Sequence, residues 1–128
     1  MPLHTRIETF PGYLLVTNTG SNDTLAESMA YVDHVLGECK RLDRVGVLID
    51  DRAAIHRIPT ADTLAVAEHL FDALGARHVT RMAVVPGEAS LLTTEDFSVF
   101  MRARGMGFKV FDNLDDARAW MVRGERTA

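Results

Sequence analysis

The stretch VGVLIDDRAAIHRIPTAD, residues 45–62, gathers many of the side chains in this chain that could do chemistry. Asp50 and Asp51 offer two carboxylates, Arg52 and Arg57 two guanidinium groups, His56 an imidazole and Thr60 a hydroxyl. Two carboxylates can bind a cation or position a base. Adjacent residues on an extended chain point to opposite faces, however, so Asp50 and Asp51 are not expected to share a ligand. Arg52, a backbone donor or water is the simpler partner. An acid–base site would need Asp50 or Asp51 to converge with His56 and Glu88 in one cleft. Thr60 has two readings at the start of a helix. Its hydroxyl can cap the free amides of the first turn, or it can be a phosphoacceptor whose added charge is favoured there.

Elsewhere the reactive residue types have simpler explanations. There is no Gly-x-Ser-x-Gly elbow, P-loop or dinucleotide fingerprint. Gly105-Met106-Gly107 follows a helix and precedes a strand, which is turn context. Cys39 falls on an apolar helix stripe and reads as a buried structural thiol. The histidines are scattered without zinc-motif spacing, so no metal site and no cofactor is expected. Arg102, Arg104 and Lys109 cluster near a helix C-terminus, where cations offset the helix dipole.

The elements that must position these groups follow from periodicity. Arg6–Phe10 and Tyr13–Asn18 read as two strands joined at Pro11-Gly12, a pair suited to a type II turn. Gly20–Asp23 supplies helix-start chemistry, and Leu25, Met29, Val32, Leu36 and Cys39 mark one helix face. Val45–Ile49 is a nearly continuous apolar run, as in a strand covered on both faces. Asp50–Pro59 then reads as a long loop, and long connections are more often functional than short ones. A second helix is expected from Thr60 to Leu74, with Leu64, Ala67, Leu70, Phe71 and Leu74 inward and Gly75 as its end. Met82–Val85 is a strand. Thr93 and Asp96 suggest a capping box for a third helix carrying Phe97, Phe100 and Met101. Phe108–Phe111 is a last strand, and Asp112 or Asn113 caps a final helix with Leu114, Ala117, Trp120 and Met121 inward.

The order ββαβαβαβα predicts an α/β domain: a mixed, mostly parallel five-stranded sheet covered by four helices, with the first strand antiparallel at an edge. At 128 residues the chain is expected to be a single domain, 1–128, able to bury its own core. A net charge of −4 argues against a general nucleic-acid binder, which needs clustered cations. One cysteine suits a reducing, cytoplasmic setting. No apolar run approaches the roughly 18–20 residues of a membrane span, and MPLHTRIETF lacks a signal-peptide core. Exposed sheet edges and helix faces are compatible with a homodimer.

With VGVLID before a helix and FKVFDNLDDARAWM near the end, the chain resembles the sulfate-transporter and anti-sigma-factor-antagonist (STAS) domains, in their stand-alone bacterial SpoIIAA-like branch. The resemblance covers nearly the whole chain in layout. It implies a non-enzymatic regulatory domain that binds a protein partner, such as an anti-sigma-factor-like kinase. The antagonists carry a phosphorylated serine, preceded by aspartate, at the start of the second helix. Ile58-Pro59-Thr60-Ala61-Asp62 matches that stretch, with Thr60 at the serine position and Pro59 in place of the aspartate. Asp50, Asp51, Arg52, His56, Arg57 and Glu88 form the expected partner or ligand surface. The layout is also similar to that of CRAL-TRIO lipid carriers. With Met29, Met82, Phe97, Phe100 and Met101, this supports an alternative, a small apolar-ligand (lipid or acyl) binding module.

Overall fold

A computed structural model describes residues 2–77 and 79–123. Strand β1 (His4–Phe10) turns at Pro11-Gly12 into β2 (Tyr13–Asn22), and Gly12 takes a φ of 85°, as the third position of a type II turn requires. There follow α1 (Leu25–Arg41), β3 (Gly46–His56), α2 (Thr60–Arg77), β4 (Arg81–Pro86), α3 (Leu91–Ala103), β5 (Gly107–Val110) and α4 (Leu114–Arg123). A single 3-10 turn, Glu88–Ser90, leads into α3.

The sheet order is β1-β2-β3-β4-β5; β1 is antiparallel to β2 at one edge and every other pair is parallel. Parallel strands added one by one in one direction, through right-handed crossovers, place all their helices on one face. The two cores agree. Leu14, Val16, Val47, Ile49, Met82 and Val84 face α1, α2 and α3, while Tyr13, Leu15, Leu48, Ala83 and Val85 face Ala117 and Met121 of α4. Val47 and Leu48 are fully buried on opposite faces, as the continuous apolar run requires.

The ends of several elements differ from the sequence expectation. β2 continues four residues past Asn18, and Gly20–Asn22 pair with Ala54–His56 of β3 instead of starting a helix. The cap of α1 is Thr24, whose hydroxyl accepts from the Glu27 N–H at 3.1 Å. The stretch expected as a loop from Asp50 is strand as far as His56, because the extended β2 lies beside it and takes its hydrogen bonds. α2 runs through Gly75 to Arg77, and it buries Thr63, Val66, Ala67, Leu70 and Leu74 while Leu64 is half exposed. α3 begins at Leu91 after the 3-10 turn, so Thr93 lies within its first turn and is no cap. Asn113 caps α4, accepting from the Asp116 N–H at 2.8 Å. Among the described residues, no helix is long and apolar enough to cross a membrane.

Candidate functional site

The chemistry-bearing stretch is organised by an irregularity in β3. Thr17 pairs with Asp50, but Thr19 pairs with Ala53, so Asp51 and Arg52 together stand opposite Asn18. This is a β-bulge, which adds one residue to a strand and re-aims the side chains beyond it. In a regular strand, side chains five apart point to opposite faces. Here the extra residue brings Asp51 and His56 to the same face, with Asp51 Oδ2 2.9 Å from His56 Nε2.

Asp50 and Asp51 diverge, as their adjacency predicts. Asp50 is held by Arg52, whose Nε and Nη2 donate to its two carboxylate oxygens, each at 2.8 Å. That bidentate bond holds the Asp50 carboxyl below the usual carboxylate range. Asp51 lies on the face covered by α1, and Asn18 Nδ2 of β2 donates to its Oδ1 at 2.7 Å. The same Asn18 amide donates to the Tyr31 hydroxyl at 2.8 Å, and Asn18 Oδ1 accepts from the Thr5 hydroxyl at 2.9 Å. Asn22 Nδ2 makes a long contact to His56 Nδ1, 3.4 Å. With that nitrogen as acceptor, the ring proton of neutral His56 sits on Nε2 and faces Asp51. The His56 backbone N–H donates to Ser90 Oγ at 3.3 Å, tying β3 to the 3-10 turn.

Two pKa values are displaced within this network. Burial pushes the Tyr31 hydroxyl far above its ordinary value, and the Asp51 charge adds to the effect. Burial alone would lower His56, but the hydrogen bond and charge of Asp51 outweigh it and hold the imidazole above its ordinary value. One group is unmatched. Asn22 Oδ1 is buried and has no hydrogen-bond partner among the described residues.

These polar groups line part of a partly open cavity of about 120 Å³ between the sheet and helices α1, α2 and α3. Asn22, Tyr31, Asp51, His56 and Ser90 all contribute to its wall. Most of the rest is apolar, including Val35, Val66, Leu70, Met82, Phe97 and Phe108, with the hydroxyl residues Ser28, Thr63, Thr93 and Thr94 between them. The site can therefore take up a small molecule with a polar head and an apolar body. Among the described residues no group of three or more acidic, histidine or cysteine side chains is placed to hold a metal ion.

The sequence candidates thus separate. Asp51 and His56 meet at the cavity, whereas Asp50 and Arg52 pair with each other on the strand's other face. Arg57 and Glu88 are exposed. α2 begins at Thr60, and the first helical carbonyl acceptor is that of Pro59, bonded by the Thr63 N–H at 3.0 Å. The side chain of Thr60, the cap or phosphoacceptor candidate, lies outside those described. Of the residues considered for an apolar ligand, Met82 and Phe97 line the cavity and Met101 is fully buried core. Asn18, Asn22, Tyr31 and Ser90 were not singled out by the sequence. Asn18 and Asn22 are four residues apart and share a face of β2, a signal hidden once the strand was ended at Asn18.

No family model and no curated protein matches the chain. Solved structures do. An anti-sigma factor antagonist from Mycobacterium paratuberculosis superposes with a TM-score of 0.62 at 17% identity, over 94% of both chains. The antagonist SpoIIAA in its unphosphorylated form gives 0.56 at 10% identity, over 94% of this chain and 99% of its own. This chain has the SpoIIAA-like fold. An uncharacterised protein with that fold from Shewanella loihica, of the DUF3478 family, is 19% identical over 93% of both chains, with a TM-score of 0.49.

Proposed function

We propose that this SpoIIAA-like domain acts by binding, as a non-enzymatic regulatory module that meets a protein partner where β3 passes into α2. The observation that carries this reading is the likeness in fold, over 94% of the chain, to two anti-sigma factor antagonists. The surface at that end suits a partner. Ile55 and Arg57 are exposed at the end of β3, as are Glu88 in the 3-10 turn and Leu91 and Leu92 at the start of α3. The His56–Ser90 bond holds these segments side by side, an apolar patch with charged neighbours. A binding role is also supported by His56, whose two ring nitrogens are engaged by Asp51 and Asn22 rather than free for a substrate proton. Thr60 is the proposed phosphoacceptor, and an anti-sigma-factor-like kinase the proposed class of partner.

Cross-linking in source cells, followed by reconstitution with the purified partner, tests this reading. The wild-type domain forms a complex that Leu92→Glu and Thr60→Glu weaken at least tenfold. Folded variants that bind like wild type would remove the proposed surface. The cavity favours a second reading, a small-ligand module whose occupancy is read out by a partner. Native mass spectrometry of gently purified protein should show a bound small molecule that a cavity-filling Val66→Phe variant lacks; equal masses for free and native protein count against it.

A further inference from the structure

We propose that the cavity is a binding site for a small uncharged alcohol, aliphatic or aromatic, whose hydroxyl donates a hydrogen bond to Asn22 Oδ1. The proposal rests on the small-ligand reading and names the ligand class. Asn22 is 3% exposed, lines the cavity, and its Oδ1 has no donor among the described residues. An unpaired buried acceptor is costly, so a ligand that brings a donor is selected over one that does not. The amide and ring donors beside it are engaged elsewhere: Asn18 Nδ2 serves Tyr31 and Asp51, Asn22 Nδ2 faces His56, and His56 Nε2 faces Asp51. The hydroxyls of Tyr31, Ser90 and Thr93 also line the wall, so a head group that gives one hydrogen bond and takes another suits the site.

Charge excludes the two obvious competitors. A carboxylate would be placed beside the buried Asp51, and burying like charges together is unfavourable. An ammonium would leave water for a largely apolar chamber in which both Asp51 oxygens are already bonded. Size sets the body. An apolar cavity of roughly 150 Å³ holds a benzene molecule, and this one measures about 120 Å³. Val35, Leu70, Met82, Phe97 and Phe108 supply the surface on which such a body packs.

The test is calorimetric titration of the purified chain with 1-pentanol, pentylammonium, butyrate and benzene, which match in size and differ in head group. The alcohol is expected to bind about tenfold more tightly than any of the other three. Val66→Phe should abolish binding of all of them, and Asn22→Leu should reduce the alcohol to the level of benzene. If Asn22→Leu does not fold, the wild-type series decides alone. Benzene, butyrate or pentylammonium binding as well as the alcohol overturns the head-group assignment while the small-ligand reading stands. No binding by any probe overturns both.

Discussion

The Asn18 side chain donates to Tyr31 and Asp51 and accepts from Thr5, so one buried amide joins α1, β3 and β1 to its own strand. Removing it strands Asp51 Oδ1 and the Thr5 hydroxyl at once. Asn18→Ala should therefore cost about 3 kcal/mol, since hydrogen bonds to charged groups and orphaned buried partners are the expensive ones; urea unfolding measures it. His56 supplies a second residue-level prediction. Its folded pKa is raised, chiefly because Asp51 outweighs burial, so its protonated form is stabilised by folding. That contribution is complete below the unfolded value of about 6.5 and disappears as pH rises through the higher folded value. The stability advantage of wild type over His56→Gln should thus shrink as melting is followed from pH 5.5 upward to pH 9. A difference that grows with pH would contradict the assignment.

At the scale of elements, β3 was legible only to its midpoint. VGVLI carries the pattern of a buried strand, but DDRAAIH has neither alternation nor an apolar run and reads as loop. It is strand because of its neighbours: Gly20–Asn22 on one side, and on the other Asp51 opposite Pro86 of β4. Gly87 then passes close over the bulge. A Cβ there would lie 3.1 Å from the Asp51 carbonyl oxygen, 3.2 Å from that of Arg52 and 3.3 Å from that of Ala54. Backbone atoms of a paired strand cannot move aside cheaply, so Gly87→Ala should destabilise by about 1–3 kcal/mol. It should also displace the Ser90 hydroxyl from the His56 amide. Chemical denaturation gives the first quantity and hydrogen exchange at the His56 N–H the second. The inward face of α2 holds at Ala67, Leu70 and Leu74 and fails at Leu64, which is half exposed, while Thr63, whose hydroxyl bonds the Pro59 carbonyl at 3.3 Å, takes the buried position.

For the whole molecule, the alternation of apolar periods was enough to predict the α/β class, the antiparallel edge strand and the buried centre. The cavity was not legible, because it depends on how far three helices stand from one sheet face, and no local pattern encodes that distance. The placement of three helices on one face also buries Cys39 among them, 1% exposed, with burial and then the Glu38 charge pushing its thiol up to about 11. Such a thiol reacts only when the core opens. Labelling by a disulfide reagent at pH 8 should be slowed by several orders of magnitude in the native state, and should track the unfolding equilibrium across a urea series. Fast native labelling would mean that α1 separates from the sheet without global unfolding.

The bulge also says how related sites can be found. A search that assumes strict alternation looks for partners at even separations along a strand, and so discards an aspartate and a histidine with four residues between them. Paired with two asparagines four residues apart on the preceding parallel strand, Asp-x4-His becomes a usable signature of this chamber. What must be preserved is the facing of the pair, which spacing and bulge set together. A one-residue deletion at Arg52 would remove the bulge and leave Asp51 and His56 four apart on a regular strand, still on one face, so chains with Asp-x3-His and no bulge should keep the chamber as well.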